Sequence, residues 1–369
     1  MSYIGENEHF SFRDGSCEVL PNVSVSSAEA AELGRTLSRF FSRFSVGCTG
    51  FERLPVMYAL CSGISECGRD VYVCENTDMP SFRFGLTLLS AECGIFISES
   101  GGLKFTFFDR SGFVLSDKIL EEIMRSSPAQ ASEHTGRINS VTSFRSIYIN
   151  NIADSLGKER SLTPVGISCG SAAVRSLWLE FFSGEDDELV FQISDDGQRV
   201  NAYSTELGFI SFEKLTLAYC LTLIKEGKKV WLPENFHYAA DSIDDKAEKY
   251  IRRFSRTDLI ADEGGESRFL RDPLYMCTHL AKSRGNLLSA VRNIPSIASA
   301  KREITVADIK RLTESRTVSD EKGRVVISRS GKSRVTLVAQ SLSAETAAEL
   351  CAFWTERIRK IGNCGLGKI

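Results

Sequence analysis

The sequence predicts an α/β protein of several domains: three α/β domains with mixed, mainly parallel sheets, the second of them shortened, and a C-terminal α+β domain. Over the first half of the chain, short runs of buried-strand type alternate with helical patterns, which is typical of parallel sheets. The chain has 369 residues, too many for one ordinary core, so we expect two to four domains. Towards the C-terminus the pattern changes to a hairpin followed by one long amphipathic helix.

Composition and charge exclude several classes of function. The chain is 42% hydrophobic and 25% charged with a net charge of -3, which gives no general attraction to nucleic acids or anionic membranes. The 11 cysteines are scattered without a C-x-x-C pair, and the 4 histidines are dispersed, so neither a disulfide framework nor a zinc site is indicated. The sequence shows no signal peptide and no membrane-spanning apolar run. We therefore expect a cytoplasmic protein that acts without nucleic acid or membrane.

The first predicted domain covers residues 1–135. Ser26 and Glu29 form a capping-box pair, and the apolar residues behind them repeat at helical spacing. Strands alternate with helices from there on, and the third strand stops at a serine. The carboxyl end of an inner strand is where open α/β sheets place their chemistry. The predicted strands are 45–47, 70–74, 94–98 and 104–108, and the helices after the first are 55–67, 80–92 and 116–125.

The second and third predicted domains cover residues 136–204 and 205–300. A linker of small and polar residues, 126–136, precedes them. The second domain is short, and its last strand ends in an acidic turn. Its predicted elements are helix 141–156, strand 164–168, a helix from residue 170 and strand 189–193; those of the third are helix 212–225, strand 229–232 and helix 273–281.

The fourth predicted domain, residues 301–369, is of α+β type. Strands at 323–328 and 334–339 flank the tight basic turn 329–333 and so predict a hairpin. A helix at 344–361 follows, with its apolar residues on one face.

Six short motifs follow one another along the chain: Val46-Gly47, the strand Asp70-Val-Tyr-Val, the helix start Met79-Pro80-x-x-x-Phe84, Gly94-Ile-Phe-Ile leading into a serine, Phe108-Asp-Arg-Ser-Gly112 and Arg271-Asp-Pro-Leu274. In order and spacing they resemble the α-D-phosphohexomutase family, the phosphomannomutases and phosphoglucomutases. The resemblance covers nearly the whole chain. It implies three α/β domains and a smaller C-terminal domain around one central cleft, a phosphoserine, one Mg²⁺ ion, and transfer of phosphate between the 1 and 6 positions of a hexose.

The family's serine loop reads threonine-alanine-serine-histidine-asparagine-proline, and the same place here reads Ser98-Glu-Ser-Gly-Gly-Leu103. The resemblance assigns Ser100 to the phosphorylated position. Glycines replace the histidine and the asparagine, so the imidazole that could assist proton transfer is missing. Glu99 adds a negative charge where a phosphate should lie. The alternative interpretation is a plain glycine-rich loop without a working nucleophile.

The family's metal loop reads aspartate-glycine-aspartate-x-aspartate-arginine, and here it reads Ser194-Asp-Asp-Gly-Gln-Arg199. Position for position, Asp196 and Arg199 match, whereas Ser194 and Gln198 stand at lost carboxylate positions. Mg²⁺ usually takes one or two carboxylates with phosphate oxygens and water, so the resemblance leaves weak, residual binding at Asp196. We expect Asp195 to point away, because neighbouring residues on an extended strand face opposite sides. A plain acidic turn is the alternative.

Remnants of the family's sugar and phosphate loops lie further along the chain. The resemblance assigns Glu266 and Ser267, with Arg199, to substrate binding, and a carboxylate and a hydroxyl suit sugar hydroxyls. Backbone N–H groups and cationic side chains in the basic turn could hold a phosphate, with a plain basic turn as the alternative. The candidate phosphate-binding residues are Arg329, Ser330, Gly331 and Lys332.

These substitutions leave two main functions open. The first is a divergent phosphohexomutase-fold protein, catalytically impaired or inactive and without a cofactor, that binds a phosphosugar or other small anion or contacts a protein partner. The alternative is an active enzyme of the phosphomannomutase or phosphoglucomutase type, which would need Mg²⁺ and a phosphorylated Ser100. The loss of two metal ligands favours the first, because the metal supplies much of the charge neutralisation in phosphoryl transfer. A chance resemblance in an unrelated α/β protein fits the ordered motifs least.

Overall fold

The computed structural model describes residues 10–13, 16–19, 25–99, 102–142, 144–157, 162–233, 236, 238–242, 249–254, 266–306, 315–329 and 334–363. The chain divides into two compact units, of which the first is Met1–Glu206 with Arg271–Lys282 and the second is Leu207–Leu270 with Ser283–Ile369. Several separate sheets with helices between them confirm the predicted α/β fold class. The predicted boundaries of the four domains stay predictions.

The larger sheet of the first unit has seven strands in the order β1-β2-β6-β5-β3-β4-β7. β3 is parallel to both β4 and β5, and β4 is parallel to β7, as the alternating pattern predicts. β6, β2 and β1 extend the sheet through antiparallel pairs. The sequence indicated four of these strands but not β1, β2 or β7. The strands are β1 Phe10–Arg13, β2 Ser16–Val19, β3 Arg43–Cys48, β4 Asp70–Cys74, β5 Cys93–Glu99, β6 Leu103–Asp109 and β7 Ile138–Ser140.

Helices cover both faces of this sheet. Ser26 and Glu29 form the predicted capping box, in which the Glu29 N–H donates to Ser26 Oγ (3.2 Å) and the Ser26 N–H donates to Glu29 Oε2 (2.8 Å). Asp78 caps the third helix, which begins with Met79-Pro80, by accepting from the Ser81 N–H at 2.8 Å. The helices are α1 Ser27–Leu37, α2 Leu54–Glu66, α3 Met79–Leu89 and α4 Asp117–Met124.

A smaller sheet in the first unit contains the turn that resembles a metal loop. β8 pairs in parallel with β9, and β9 pairs with β10 in an antiparallel hairpin. The sequence indicated β9 at its observed bounds but not β10, so residues 194–199 are the turn of a hairpin. The elements of this region are α5 Phe144–Leu156, β8 Gly166–Ser168, α6 Ala172–Trp178, β9 Leu189–Ile193 and β10 Val200–Ser204, with α8 Pro273–Leu280 also in this unit.

The second unit combines a two-stranded parallel sheet with a four-stranded antiparallel one. The antiparallel sheet has the order β14-β17-β16-β15, and β16 and β17 form the predicted hairpin. The last helix buries Leu350, Trp354 and Ile358 against this sheet, as its apolar face predicts. The elements are β11 Gly208–Ile210, α7 Phe212–Lys225, β12 Val230–Pro233, β13 Ile251–Phe254, α9 Arg284–Arg292, β14 Ala298–Thr305, β15 Ser315–Asp320, β16 Gly323–Arg329, β17 Arg334–Ser341 and α10 Ala344–Asn363. Among the described residues, no helix has both the length and the apolarity needed to cross a membrane.

Candidate ligand pocket

A pocket of about 810 Å³ lies at the carboxyl ends of β3, β4 and β5 in the first unit. This is where open α/β sheets bind ligands. The opposite wall comes from the start of α6 and from the β9–β10 turn, so the serine-loop strand and the metal-loop remnant meet at one pocket. The lining residues are Thr49, Gly50, Cys74, Glu75, Asn76, Thr77, Asp78, Met79, Phe96, Ser98, Glu99, Lys104, Val141, Thr142, Phe144, Arg145, Gly170, Ser171, Ala173, Val174, Ser194, Asp195 and Asp196.

The strand leading to the serine loop carries a paired carboxylate. Glu99, the last residue of β5, accepts a hydrogen bond at 2.5 Å from Nη2 of Arg53. The Arg53 side chain is 13% exposed and also donates to the Thr49 carbonyl at 2.6 Å. Arg53 also pairs with Glu52, so this one cation lies between two carboxylates. Ser100 itself lies outside the described residues, and its role stays a prediction.

Hydrogen bonds to Asp196 close the β9–β10 turn. Asp196 is the one residue of the turn that matches a carboxylate of the family's metal loop. Asp196 Oδ1 accepts from Ser194 Oγ at 2.6 Å and from the Gln198 N–H at 3.0 Å. The other oxygen, Oδ2, accepts from Gln198 Nε2 at 3.3 Å. Arg199 is exposed, and its N–H donates to Ser194 Oγ at 3.0 Å. The two residues at lost ligand positions thus bind the remaining carboxylate.

The position of the Asp195 side chain differs from our expectation that it points away. It lines the same pocket as Asp196, although neighbouring residues of a strand would face opposite sides. The reason is that the strand β9 ends at Ile193, so the alternation of a strand does not apply to residues 195 and 196, which lie in a turn. Two adjacent carboxylates therefore face the pocket.

The resemblance implies Mg²⁺, but the side-chain oxygens of the β9–β10 turn suit this ion poorly. Mg²⁺ needs oxygen ligands with free lone pairs at near-octahedral positions. Here Asp196 is the single carboxylate at the matching positions. Its Oδ1 accepts two donors and its Oδ2 accepts the amide N–H of Gln198, which leaves about one lone pair for an ion. Within the part of the chain that the structure describes, no group of three or more His, Cys, Asp or Glu side chains could hold a metal ion. The residues at the family's ligand positions do not fit a tightly held Mg²⁺.

Two cationic side chains that the sequence analysis did not identify line the pocket. Lys104 on β6 pairs with Ser98 across the β5–β6 ladder. Arg145 on α5 forms an ion pair with buried Asp78 at 3.4 Å and donates to Ser176 Oγ at 3.0 Å. Lys104 could have been noticed as one charge in an apolar strand, but the position of Arg145 depends on the packing of a different element.

Two groups at the pocket that could serve as nucleophiles stay protonated at neutral pH. Burial raises the pKa of the Cys74 thiol to about 12. A hydrogen bond to Glu75, which lines the pocket, followed by partial burial, raises the pKa of Tyr58 to about 12. Neither group is therefore suited to act as a nucleophile or a general base.

The remaining predicted site residues belong to the second unit. Glu266 continues beside β12, where its carbonyl accepts from the Trp231 N–H at 3.0 Å, and its Oε1 accepts from the Arg268 N–H at 3.2 Å. Ser267 is buried, with 8% of its surface exposed. The backbone of Arg329 ends β16, whereas Ser330, Gly331 and Lys332 lie outside the described residues. Sugar and phosphate binding at these positions stay predictions.

Known proteins resemble this chain mainly in fold. No family model matches it. A phosphoglucosamine mutase from Finegoldia magna is 29% identical over 157 residues, which are 39% of this chain and 34% of that protein. The match thus spans about a third of the length of this curated relative.

Two solved structures superpose on nearly the whole chain. A phosphoglucomutase/phosphomannomutase family protein from Burkholderia thailandensis has a TM-score of 0.68 at 12% identity and covers 96% of this chain and 98% of its own. A protein from Thermus thermophilus described as a phosphomannomutase has a TM-score of 0.66 at 13% identity, with coverage of 95% and 99%. The resemblance to the α-D-phosphohexomutase family is confirmed at the level of the fold: this chain has the phosphohexomutase fold.

Proposed function

We propose that this protein is a divergent phosphohexomutase-fold protein whose phosphoryl transfer is impaired or lost, and which acts by binding a phosphosugar or another small anion without Mg²⁺, or by contacting a protein partner. One observation carries the proposal. The only carboxylate that matches a family metal ligand, Asp196, accepts hydrogen bonds from Ser194 and Gln198, the two residues that stand at lost ligand positions.

These hydrogen bonds compete directly with a metal ion. A hydrogen bond to a charged group contributes about 1.5–3 kcal/mol, so an ion that binds Oδ1 of Asp196 must offset the loss of at least one such bond. It would gain a single carboxylate at the matching positions, where the family has three. Phosphoryl transfer relies on the charge of the metal to stabilise the transferring group. Weak metal binding therefore implies slow chemistry or none.

An active phosphohexomutase is the second candidate, and one observation favours it. Asp195 and Asp196 both line the pocket, and Mg²⁺ in phosphoryl-transfer sites is often held by one or two carboxylates with substrate phosphates. Lys104 lies in the same pocket. This enzyme would need Mg²⁺ bound beside Asp196 and a phosphorylated Ser100.

The two candidates differ in turnover and in the covalent state of the protein. The assay follows conversion between the 1- and 6-phosphates of glucose, mannose and glucosamine, with Mg²⁺ and a hexose bisphosphate as primer. We expect no turnover, no heat of Mg²⁺ binding by calorimetry, and an unmodified Ser100 by peptide mass spectrometry. Mg²⁺-dependent turnover with a phosphorylated Ser100 would overturn the proposal in favour of the enzyme.

The ligand class is tested by thermal unfolding with the same sugar phosphates in EDTA. A rise in Tm with one of them identifies a phosphosugar-binding protein, and inorganic phosphate alone serves as the control for a general anion effect. If none of these compounds raises the Tm, the proposed binding of a phosphosugar or small anion is wrong. Contact with a protein partner is then the function that remains.

A further inference from the structure

A buried arginine lies behind the β9–β10 turn. Arg83, on α3, has 7% of its surface exposed. Its Nε and Nη2 donate to the Gly112 carbonyl at 3.0 and 2.8 Å, and its guanidinium lies 5.2 Å from the centre of the Phe108 ring. The third nitrogen, Nη1, donates to Gln198 Oε1 at 3.3 Å. A buried charge of this kind is costly unless its surroundings compensate it.

The turn contacts the same helix at two further points. Gln198 Nε2 lies 2.7 Å from the sulfur of Met79. Gly197 has φ +70° and packs so closely on the helix that an added Cβ would lie 2.7 Å from Pro80 Cγ. The turn is therefore fixed on the first turns of α3 by contacts that involve no ion.

Gln198 links two charges of opposite sign. Its carbonyl oxygen accepts from Arg83, and its amide nitrogen donates to Asp196 Oδ2 at 3.3 Å. Burial, and next the charge of Arg271, lower the pKa of Arg83 to about 10, so its guanidinium stays protonated at neutral pH. Asp196 is among the carboxylates that favour this cation.

We infer that Arg83 is a positioning residue that takes the place of the divalent ion as the cation behind this turn, with Gln198 carrying the link to Asp196. The inference concerns the same turn as the proposed function, and it goes further by naming the internal group that orders the turn without metal. An aspartate at position 198 has one methylene fewer than glutamine and would not reach Arg83 and Asp196 at once. The Arg83 link and a carboxylate ligand at position 198 therefore exclude each other.

A double-mutant cycle tests the link. The variants are Gln198→Leu, which keeps the side-chain size but loses both hydrogen bonds, Arg83→Met, and the double variant. We expect Gln198→Leu to lower the Tm by roughly 2–4 °C, equally in EDTA and in Mg²⁺, as the loss of about one hydrogen bond does in a unit of this size. Gln192→Leu, at an exposed position on β9, is the matched control and should leave the Tm unchanged.

The cycle separates a link from a purely local role of Arg83. If Arg83 acts through Gln198, the double variant loses less Tm than the sum of the two single losses. If the losses add, Arg83 serves only the Gly112 carbonyl and the inference is wrong. The cycle does not depend on turnover, so the inference about Arg83 can be wrong while the proposed function still holds.

A metal titration keeps the inference testable if Arg83→Met does not fold. The variant Ser194→Asp/Gln198→Asp restores three carboxylates and removes the link to Arg83. We expect it to gain a Tm increase with Mg²⁺ or Mn²⁺ that the wild-type protein lacks, and the single variant Ser194→Asp, which keeps Gln198, to gain little. An equal metal response in the wild-type protein, or in Ser194→Asp alone, would overturn the inference.

Discussion

Two places in one pocket hold their carboxylates in different ways. At the end of β5 a carboxylate, Glu99, stands where the family has an uncharged residue, and a cation, Arg53, is held 2.5 Å from it. In the β9–β10 turn the carboxylate of Asp196 accepts hydrogen bonds from the neutral side chains of Ser194 and Gln198. At the first place an ion pair holds the carboxylate, and at the second the neutral side chains of a turn hold it.

The difference shows that a charge can be compensated at short range in two physical ways. An ion pair with a partly buried arginine depends on Coulomb attraction and on the position of a second element. A carboxylate in a tight turn is compensated by local donors, as in other turns built on aspartate. Each kind of compensation should therefore stabilise its part of the pocket by a different amount.

The largest effect is expected at Gly197. A Gly197→Ala variant meets both an unfavourable backbone, φ +70°, and Pro80 at 2.7 Å, so we expect a loss of about 2–4 kcal/mol in the free energy of unfolding. Gly157→Ala is the matched control, because φ is +68° there and no atom of the described residues lies within 4 Å of the added carbon. It should cost only about 1 kcal/mol. Equal losses in urea unfolding would mean that the turn does not pack firmly on α3.

Removing the cation at the end of β5 should have the next largest effect. Arg53→Met removes the donor to Glu99, to Glu52 and to the Thr49 carbonyl, and we expect a loss of about 1–2 kcal/mol in urea unfolding. Arg125→Met is the control, because Arg125 pairs with Glu121 on the surface and its side chain is 74% exposed, so its removal should cost less than about 0.5 kcal/mol. Similar losses for the two variants would contradict a special role of the Arg53–Glu99 pair.

Asp196→Asn tests the compensation by neutral donors. The amide can no longer accept hydrogen bonds on both of its terminal atoms, so we expect a loss of about 1 kcal/mol that is the same in EDTA and in Mg²⁺. Asp195→Asn is the control, because the carboxylate of Asp195 makes no hydrogen bond within the described residues, and it should change the stability less. A loss for Asp196→Asn that appears only in Mg²⁺ would instead indicate a bound ion.

The smallest effect concerns Glu75, another carboxylate of the pocket, whose partner is the Tyr58 hydroxyl. The pKa of Tyr58 is raised to about 12 in the folded protein, mainly by this hydrogen bond, so the bond favours the protonated phenol. Its contribution is complete below the ordinary tyrosine pKa of about 10 and is lost as the pH rises towards 12.

We therefore expect Tyr58→Phe to be slightly less stable than the wild-type protein at pH 8, with a difference that shrinks as the pH rises from 10 to 12. Chemical unfolding across this pH range measures the difference. A difference that stays constant with pH would show that the hydroxyl does not depend on Glu75. Because Tyr58 is 41% exposed, solvent screening keeps the effect small.

The sequence indicated much of the core and missed elements whose pattern is not apolar. β5 and β9 carry buried side chains at the spacing of strands, and both were predicted within a residue of their observed bounds. β14 exposes Lys301, Arg302 and Glu303, so its residues carry no apolar pattern until β17 pairs with them. β10 was not predicted from the sequence for a related reason. Only the pairing of β10 with β9 identifies the acidic segment 194–199 as a hairpin turn.

In the candidate site, too, the sequence predicts some features and only the packing shows the others. Residue types alone predict which functional groups Ser194, Gln198 and the serine loop lack relative to the family, because chemistry follows from the functional groups that a segment contains. The amino-acid order cannot reveal which groups contact the residues at these positions, since Arg53 and Arg83 reach Glu99 and Gln198 from other helical segments. Compensation of a charge depends on distances of a few ångströms through space, and only the packing of strands and helices fixes those distances.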